Sequence, residues 1–287
     1  MRVASASRRT LGAVPLVLSL AFVPNRVGAQ CYDSAQHFRS GLWKEWVVQI
    51  LPGPQALAAI ERIVAEMNEG RALAQPPVPP LVFDPEVPLL VSVLEENNPR
   101  GPNGASVPDR TPNREVLLGS YAVVDGGGPV LILLADPLRS NSSLTATGIA
   151  GVDAVVRRSM SFEDQPQGGS LSSTRWSVTS AAGSVKFGLT YPEAAISQRS
   201  RFPPAADYLN CGFGLFLDEI FRSSPAQTIA VYDRSQTTFL FDLTRPDVKL
   251  QLKVRHVDPY VNAIFNDPGN VAIGLSEAER AIRWQRR

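Results

Sequence analysis

The sequence predicts an α+β fold: a mainly antiparallel meander sheet curled into a barrel or a sandwich, with two or three helices packed on it. Three observations predict it. Most of the chain after residue 80 is strand-like, with apolar runs separated by short turns. Only three stretches carry helical periodicity. Strands joined by a few residues must be antiparallel, because a parallel pair needs a crossover of about a dozen residues or more.

The elements follow in chain order. Pro54 after Gly53 opens a helix, with Leu57, Ile60, Val64 and Met67 at helical spacing and Gly70 as its stop, giving a helix over 54–69. "EVLLGSYAVV" and "PVLILLA" flank Asp125–Gly128, a strong hairpin turn, and "LSSTRWSVTS" and "GSVKFGLT" surround Ala181–Gly183. Leu209, Phe213, Phe216, Leu217 and Ile220 share one helical face and predict a helix over 205–222. "TIAVYD" and "TTFLFDL" enclose Arg234–Gln236 as a further hairpin, and "DVKLQLKV" is a strand after Arg245-Pro246. Ser276 and Glu279 have capping-box spacing, so a last helix is expected over 277–286.

The first 29 residues form a separate unit. They hold four arginines, no acidic residue, and an apolar stretch from Leu11 to Val23 that is broken by Gly12 and Pro15. That stretch is short of the ~20 residues a membrane-spanning helix needs. Val27-Gly28-Ala29 suits signal peptidase, so a leader is expected over 1–29, cleaved before Gln30 and leaving no membrane anchor. The adjacent Arg8 and Arg9 resemble a bacterial twin-arginine export signal; the competing reading is an ordinary secretory leader whose charge happens to include two arginines. Either route places the protein in the periplasm or outside the cell.

Residues 30–287 read as a single β-rich domain. The Pro- and Gly-rich stretches Ala74–Pro80 and 97–113 are loops within it, since the segment between them is too short to fold alone. Without the leader, 28 − 4 = 24 basic residues face 27 acidic ones, a net charge of −3. That balance gives no reason to expect a nucleic-acid partner. Two cysteines remain, Cys31 and Cys211. In an oxidising compartment they are expected to form one disulfide, with a pair of buried thiols as the alternative.

No motif announces catalysis. His37 and His256 sit in no zinc-binding spacing, no G-x-S-x-G elbow or phosphate-binding loop occurs, and no metal or cofactor is expected. Arg255, His256, Asp258 and Tyr260 could line a pocket, although Asp258-Pro259 and Asp267-Pro268-Gly269 also read as plain turns.

"VPLLVSVLEENN", "NREVLLGSYAVVDGGGPVLILLADP" and "TGIAGVDAVVRRSMSFED", between residues 87 and 164, together resemble the acetoacetate decarboxylase-like barrel proteins. The resemblance implies a barrel with Glu115 as a pocket carboxylate and Glu95 as a second, the candidate catalytic pair. The family's Schiff-base lysine has no counterpart in "GIAGVDAVVRR", and a guanidinium forms no imine, so Arg157 and Arg158 cannot replace it. Two functions remain open. One is a binding module for a small apolar or carboxylate ligand, with Arg157, Arg158 and Arg175, and also His256 and Asp258, as candidate ligand-binding residues. The other is an enzyme, a lyase, cyclase or hydratase acting on a carbonyl substrate through Glu115 and Glu95.

Replacing Arg8-Arg9 by Lys-Lys keeps the charge that general secretion uses and removes the guanidinium pair. Export is expected to stop, with precursor accumulating inside the cell on immunoblots of cell fractions. Undiminished export would reduce the pair to a charged leader.

Overall fold

The computed structural model describes residues 2–3, 37–100, 113–140, 151–164, 169–201 and 214–286. Fifteen strands share one sheet network and two helices pack on it. Residues Arg2–Val3 (β1) pair in parallel with residues 271–272, inside the segment expected to be removed. The described chain then runs through β2 (His37–Leu51), α1 (Pro54–Ala72), β3 (Leu81–Phe83), β4 (Leu89–Arg100), β5 (Asn113–Val124), β6 (Pro129–Leu133) and β7 (Leu138–Arg139). It continues with β8 (Val152–Asp164), β9 (Ser170–Ser180), β10 (Gly183–Pro192), β11 (Ile196–Arg201), β12 (Gly214–Phe221), β13 (Ser224–Phe241), β14 (Lys249–His256), α2 (Pro259–Asn266) and β15 (Val271–Arg286).

Pairing is antiparallel except for β1 with β15, β6 with β12 and β7 with β8. Seven strands are hydrogen-bonded in a cycle, β5-β4-β2-β15-β13-β12-β6, because β6 pairs with β12 on one edge and with β5 on the other. The sheet as a whole is not closed into a barrel. Below β6, the same edge of β5 takes β7, and through it the open extension β8-β9-β10-β14.

Strand alternation gives the cycle two faces with different cores. Inside lie Trp43, Leu94, Leu117, Leu133, Phe221 and Val231. The outer face, through Trp46, Val48, Val91 and Val116, shares the larger core with α1 and with Trp176, Val178 and Phe187 of the extension, giving a sandwich-like second layer. Each such side chain contributes about 1.5–3 kcal/mol on burial.

The helix over 54–69 is present and runs on to Ala72, past Gly70. Gly70 serves another need: a Cβ there would lie 2.7 Å from the Pro225 ring. The hairpin at Asp125–Gly128 also forms, with Gly126 at φ +70, where L side chains are disfavoured.

Three local expectations are overturned. Residues 214–221 form β12 and Arg222 begins the turn after it, in place of a helix over 205–222; residues 205–213 lie outside the described residues. Both faces of β12 are buried, at Glu219, Ile220 and Phe221, so its apolar spacing shows no strand alternation and mimics a helical stripe. The helix over 277–286 is instead part of β15, hydrogen-bonded to β2 and β13 along its length; long-range pairing overrides the Ser276–Glu279 cap spacing. The hairpin at Arg234–Gln236 is absent, since β13 runs through it with a register shift between Ser235 and Thr237.

The second helix was hidden in turn dipeptides. Asp258 caps α2 by accepting hydrogen bonds from the Tyr260 and Val261 amides at 2.8 and 3.1 Å, with Pro259 in the first turn. The residues after α2 in turn cap α1, whose own N-cap Gly53 has no side chain. Asp267 accepts from the Ala56 amide at 2.8 Å, and Asn270 accepts from the Gly53 amide at 2.9 Å. Asp267→Ala should therefore cost about 1–3 kcal/mol in urea denaturation, and Asp267→Asn less. A wild-type midpoint in the alanine variant would show that α1 needs no distant cap.

Candidate functional site

The extension β8-β9-β10-β14 is the part of the fold whose two faces carry different chemistry. Adjacent residues of a strand point to opposite faces, so Arg157 and Arg158 separate. Register places Arg157, Ser177, Lys186 and Lys253 in one row across the four strands, and Ser159, Arg175, Gly188 and Gln251 in the next. These rows form the outer face. They border a cleft of about 670 Å³ whose floor is left low at Gly188. Among the described residues, none of Arg157, Arg175, Lys186 and Lys253 has an acidic partner. Four cations thus stand together on one face of the extension.

Arg158 belongs to the inner face. Its Nη1 lies 2.8 Å from Glu95 Oε1, and its guanidinium stands 5.0 Å from the Trp46 ring and 5.5 Å from the Trp176 ring, which meet edge to face at 5.8 Å. It clamps the extension to the cycle and offers its charge to Glu95, not to the cleft. Glu95 also accepts from Arg114 Nε at 2.7 Å. Burial pushes its carboxyl upward, but the hydrogen bonds and charges of Arg114 and Arg158 together outweigh that and hold it below the usual carboxylate range.

Glu115 lies elsewhere. β5 places it opposite Leu94, so it points inside the cycle while Glu95 points outside. It is 2 % exposed and its Oε1 is 2.6 Å from Arg139 Nε, itself 2 % exposed. Asn113 Nδ2 donates to Glu115 at 3.2 Å and reaches Glu96 at 3.4 Å. The two carboxylates expected to act as acid and base are therefore on opposite faces of the sheet, each held by arginine. The neighbour that does share the interior with Glu115 is Glu96, one residue along in "VLEENN".

His256 and Asp258 are close to each other but not to the row of cations that Arg157 leads. Asp258 caps α2 and pairs with Arg222 at 2.9 Å. The His256 Nδ1 accepts from the Asp258 amide at 3.1 Å. Burial pushes the imidazole below its usual range, and Arg222 adds to this against the opposing pull of Asp258 and Asp136, so the neutral ring that can accept is favoured. Both residues shape the β14–α2 turn. Cys31 and Cys211 lie outside the described residues, as does His37 in its side chain.

Of the candidate ligand-binding residues Arg157, Arg158 and Arg175, only Arg157 and Arg175 belong to the outer face, and Lys186 and Lys253 were not among the candidates. The signal that joins them is phase: all four occupy the same face of alternating strands, which becomes visible only once the registers are known. No group of three or more His, Cys, Asp or Glu side chains positioned for a metal ion occurs among the described residues. No family model matches this chain, and no curated protein is similar to it.

Arg139→Met removes the cation from buried Glu115 and is expected to cost about 3–5 kcal/mol in denaturant unfolding, with much of the loss recovered in the Glu115→Gln/Arg139→Met double variant. A single variant as stable as the parent would mean that Glu115 does not depend on this arginine.

Proposed function

We propose that this is an exported binding protein for a small carboxylate ligand, held over the outer face of the sheet extension by Arg157, Arg175, Lys186 and Lys253. The observation that carries this reading is the row of cations without acidic partners beside an open cleft. Unpaired like charges on neighbouring strands repel one another by a few tenths of a kcal/mol to about 1 kcal/mol per opposed pair, and an anion relieves that repulsion. Arg157 and Arg175 offer planar forks that match carboxylates bidentately, while Lys186 and Lys253 act as point charges. Three or four cations in one cleft favour a ligand with more than one carboxylate over a simple fatty acid. Ser159 and Ser177 supply neutral hydroxyls between the charged side chains, which suits hydroxyl or carbonyl groups on the ligand.

No reaction is assigned to the cleft. Binding is expected to be carried by charge at an exposed site, and so to weaken with ionic strength as exposed charges are screened within about 8–10 Å.

Tricarballylate should bind in isothermal titration and propionate should bind much more weakly. Arg157→Ala and Arg175→Ala should each weaken tricarballylate by about fivefold to tenfold, and high salt should weaken it further. Equal affinity for the two acids, or an Arg175→Ala variant that binds like the parent, would remove the reading.

A further inference from the structure

A second cavity opens between the cycle and the inner face of the extension, reached from the Trp46 side of the clamp through Lys44 and Glu277. Its volume is about 420 Å³, within the range of small-molecule pockets. Phe239 and Phe241 of β13 and Glu277 and Glu279 of β15 border it on the cycle side, and Tyr191 of β10 and Phe162 of β8 border it on the extension side. Four aromatic side chains and several carboxylates therefore converge on one space.

The cavity holds one described cation, Lys44, and that charge is already matched. Lys44 Nζ lies 2.9 Å from Glu277 Oε1 and 5.4 Å from the Trp46 ring. The Trp46 Nε1 donates to the other Glu277 oxygen at 3.0 Å, and the Tyr191 hydroxyl also hydrogen-bonds this carboxylate. Glu277 and Lys44 thus form a neutral, fully bonded unit. Glu279, directly across from Lys44 in the strand register, is exposed and borders the same cavity.

The rings are neutral, and two of them hold each other in place. Tyr191 meets Phe241 edge to face at 4.7 Å. Its phenol is pushed up to about 12, by burial first and by Glu277 next, so it remains protonated and its ring face remains electron-rich. Phe162 is 68 % exposed although it lies on the inner face of the extension. An aromatic ring left in water at the rim of an otherwise aromatic cavity is what a closing ligand would cover.

We infer that this cavity binds an organic ammonium ion, with the aromatic faces taking the cation and Glu279 supplying the opposing charge at the mouth. Aromatic faces attract quaternary ammonium groups through their quadrupole, and the attraction grows as water is excluded. The site uses none of the residues of the basic cleft, so either can fail alone.

Choline and its uncharged carbon isostere 3,3-dimethylbutan-1-ol separate charge from shape. Titration of the full-length protein should give choline about tenfold tighter binding than the alcohol. Glu279→Gln and Phe162→Ala, both at exposed positions, should each weaken choline several-fold while leaving the circular dichroism spectrum and the urea midpoint unchanged, which verifies that the variants are folded. Failure of choline to bind, equal binding of the alcohol, or unaltered choline affinity in both variants would overturn the assignment.

Discussion

The Glu115–Arg139 ion pair sits where the sheet divides, and both layers of the fold depend on that division. β5 offers one edge to two partners: residues 119–123 bond to β6, which completes the cycle, and residues 115–116 bond to β7, which starts the extension. Arg139 is in register with Glu115, so the 2.6 Å contact fixes the second partner at the residue where the edge changes hands. The chain then passes close over the pair, since a Cβ on Gly151 would stand 2.9 Å from the Arg139 side chain. Burying two charges is costly, and a well-packed apolar pair could be as stable. What a charged pair adds is intolerance of a register slip, which would leave each ion alone in the core.

From that branch point the extension returns over the cycle and is held by a different device. Arg158 lies against Trp46 and Trp176 while binding Glu95, so one side chain joins β8, β9, β2 and β4. Because strands alternate, committing Arg158 to the inner face obliges Arg157 to the outer one. The same alternation sends Trp176 inward and Arg175 outward, and Phe187 inward and Lys186 outward. The basic outer face and the aromatic, acidic cavity of the inner side are two consequences of one registration.

The sequence made the antiparallel sheet legible through its turns: Asp125–Gly128 and Ala181–Gly183 are local signals, and they mark real hairpins. The first helix was legible for the same reason, with Pro54 and a buried stripe of Ile60, Val64 and Met67. What was not legible depends on partners far away in the chain. β12 and β15 have both edges paired and bury residues on both faces, so their apolar spacing carries no period of two. α2 was obscured because Asp258-Pro259 is equally a turn and a helix start, and the difference lies in Val261 and Ile264 being buried against the core. For the site, Glu95 and Glu115 were chosen from a family resemblance, which does not reveal the face of a strand. A shift of one residue, from Glu95 to Glu96, separates the clamp between the two layers from the interior of the cycle.

One structural account of the basic face competes with ligand binding. β14 is the last strand of the extension, and lysines on an edge strand discourage pairing with other chains. That account covers Lys249 and Lys253, and α2 packed beside the strand adds to the protection. It does not cover Arg175 or Lys186. Both lie on strands with a partner on each edge, β9 between β8 and β10, and β10 between β9 and β14. Nothing on those strands is open to intruding backbone, so their charge is not needed to repel it. Their side chains extend from the middle of a paired sheet, Lys186 in the row of Arg157 and Lys253 and Arg175 in the row beside it, toward the cleft that those rows border. Charge placed there works against the sheet's own stability unless something of opposite sign occupies the cleft, and that is the physical basis for proposing an anion there.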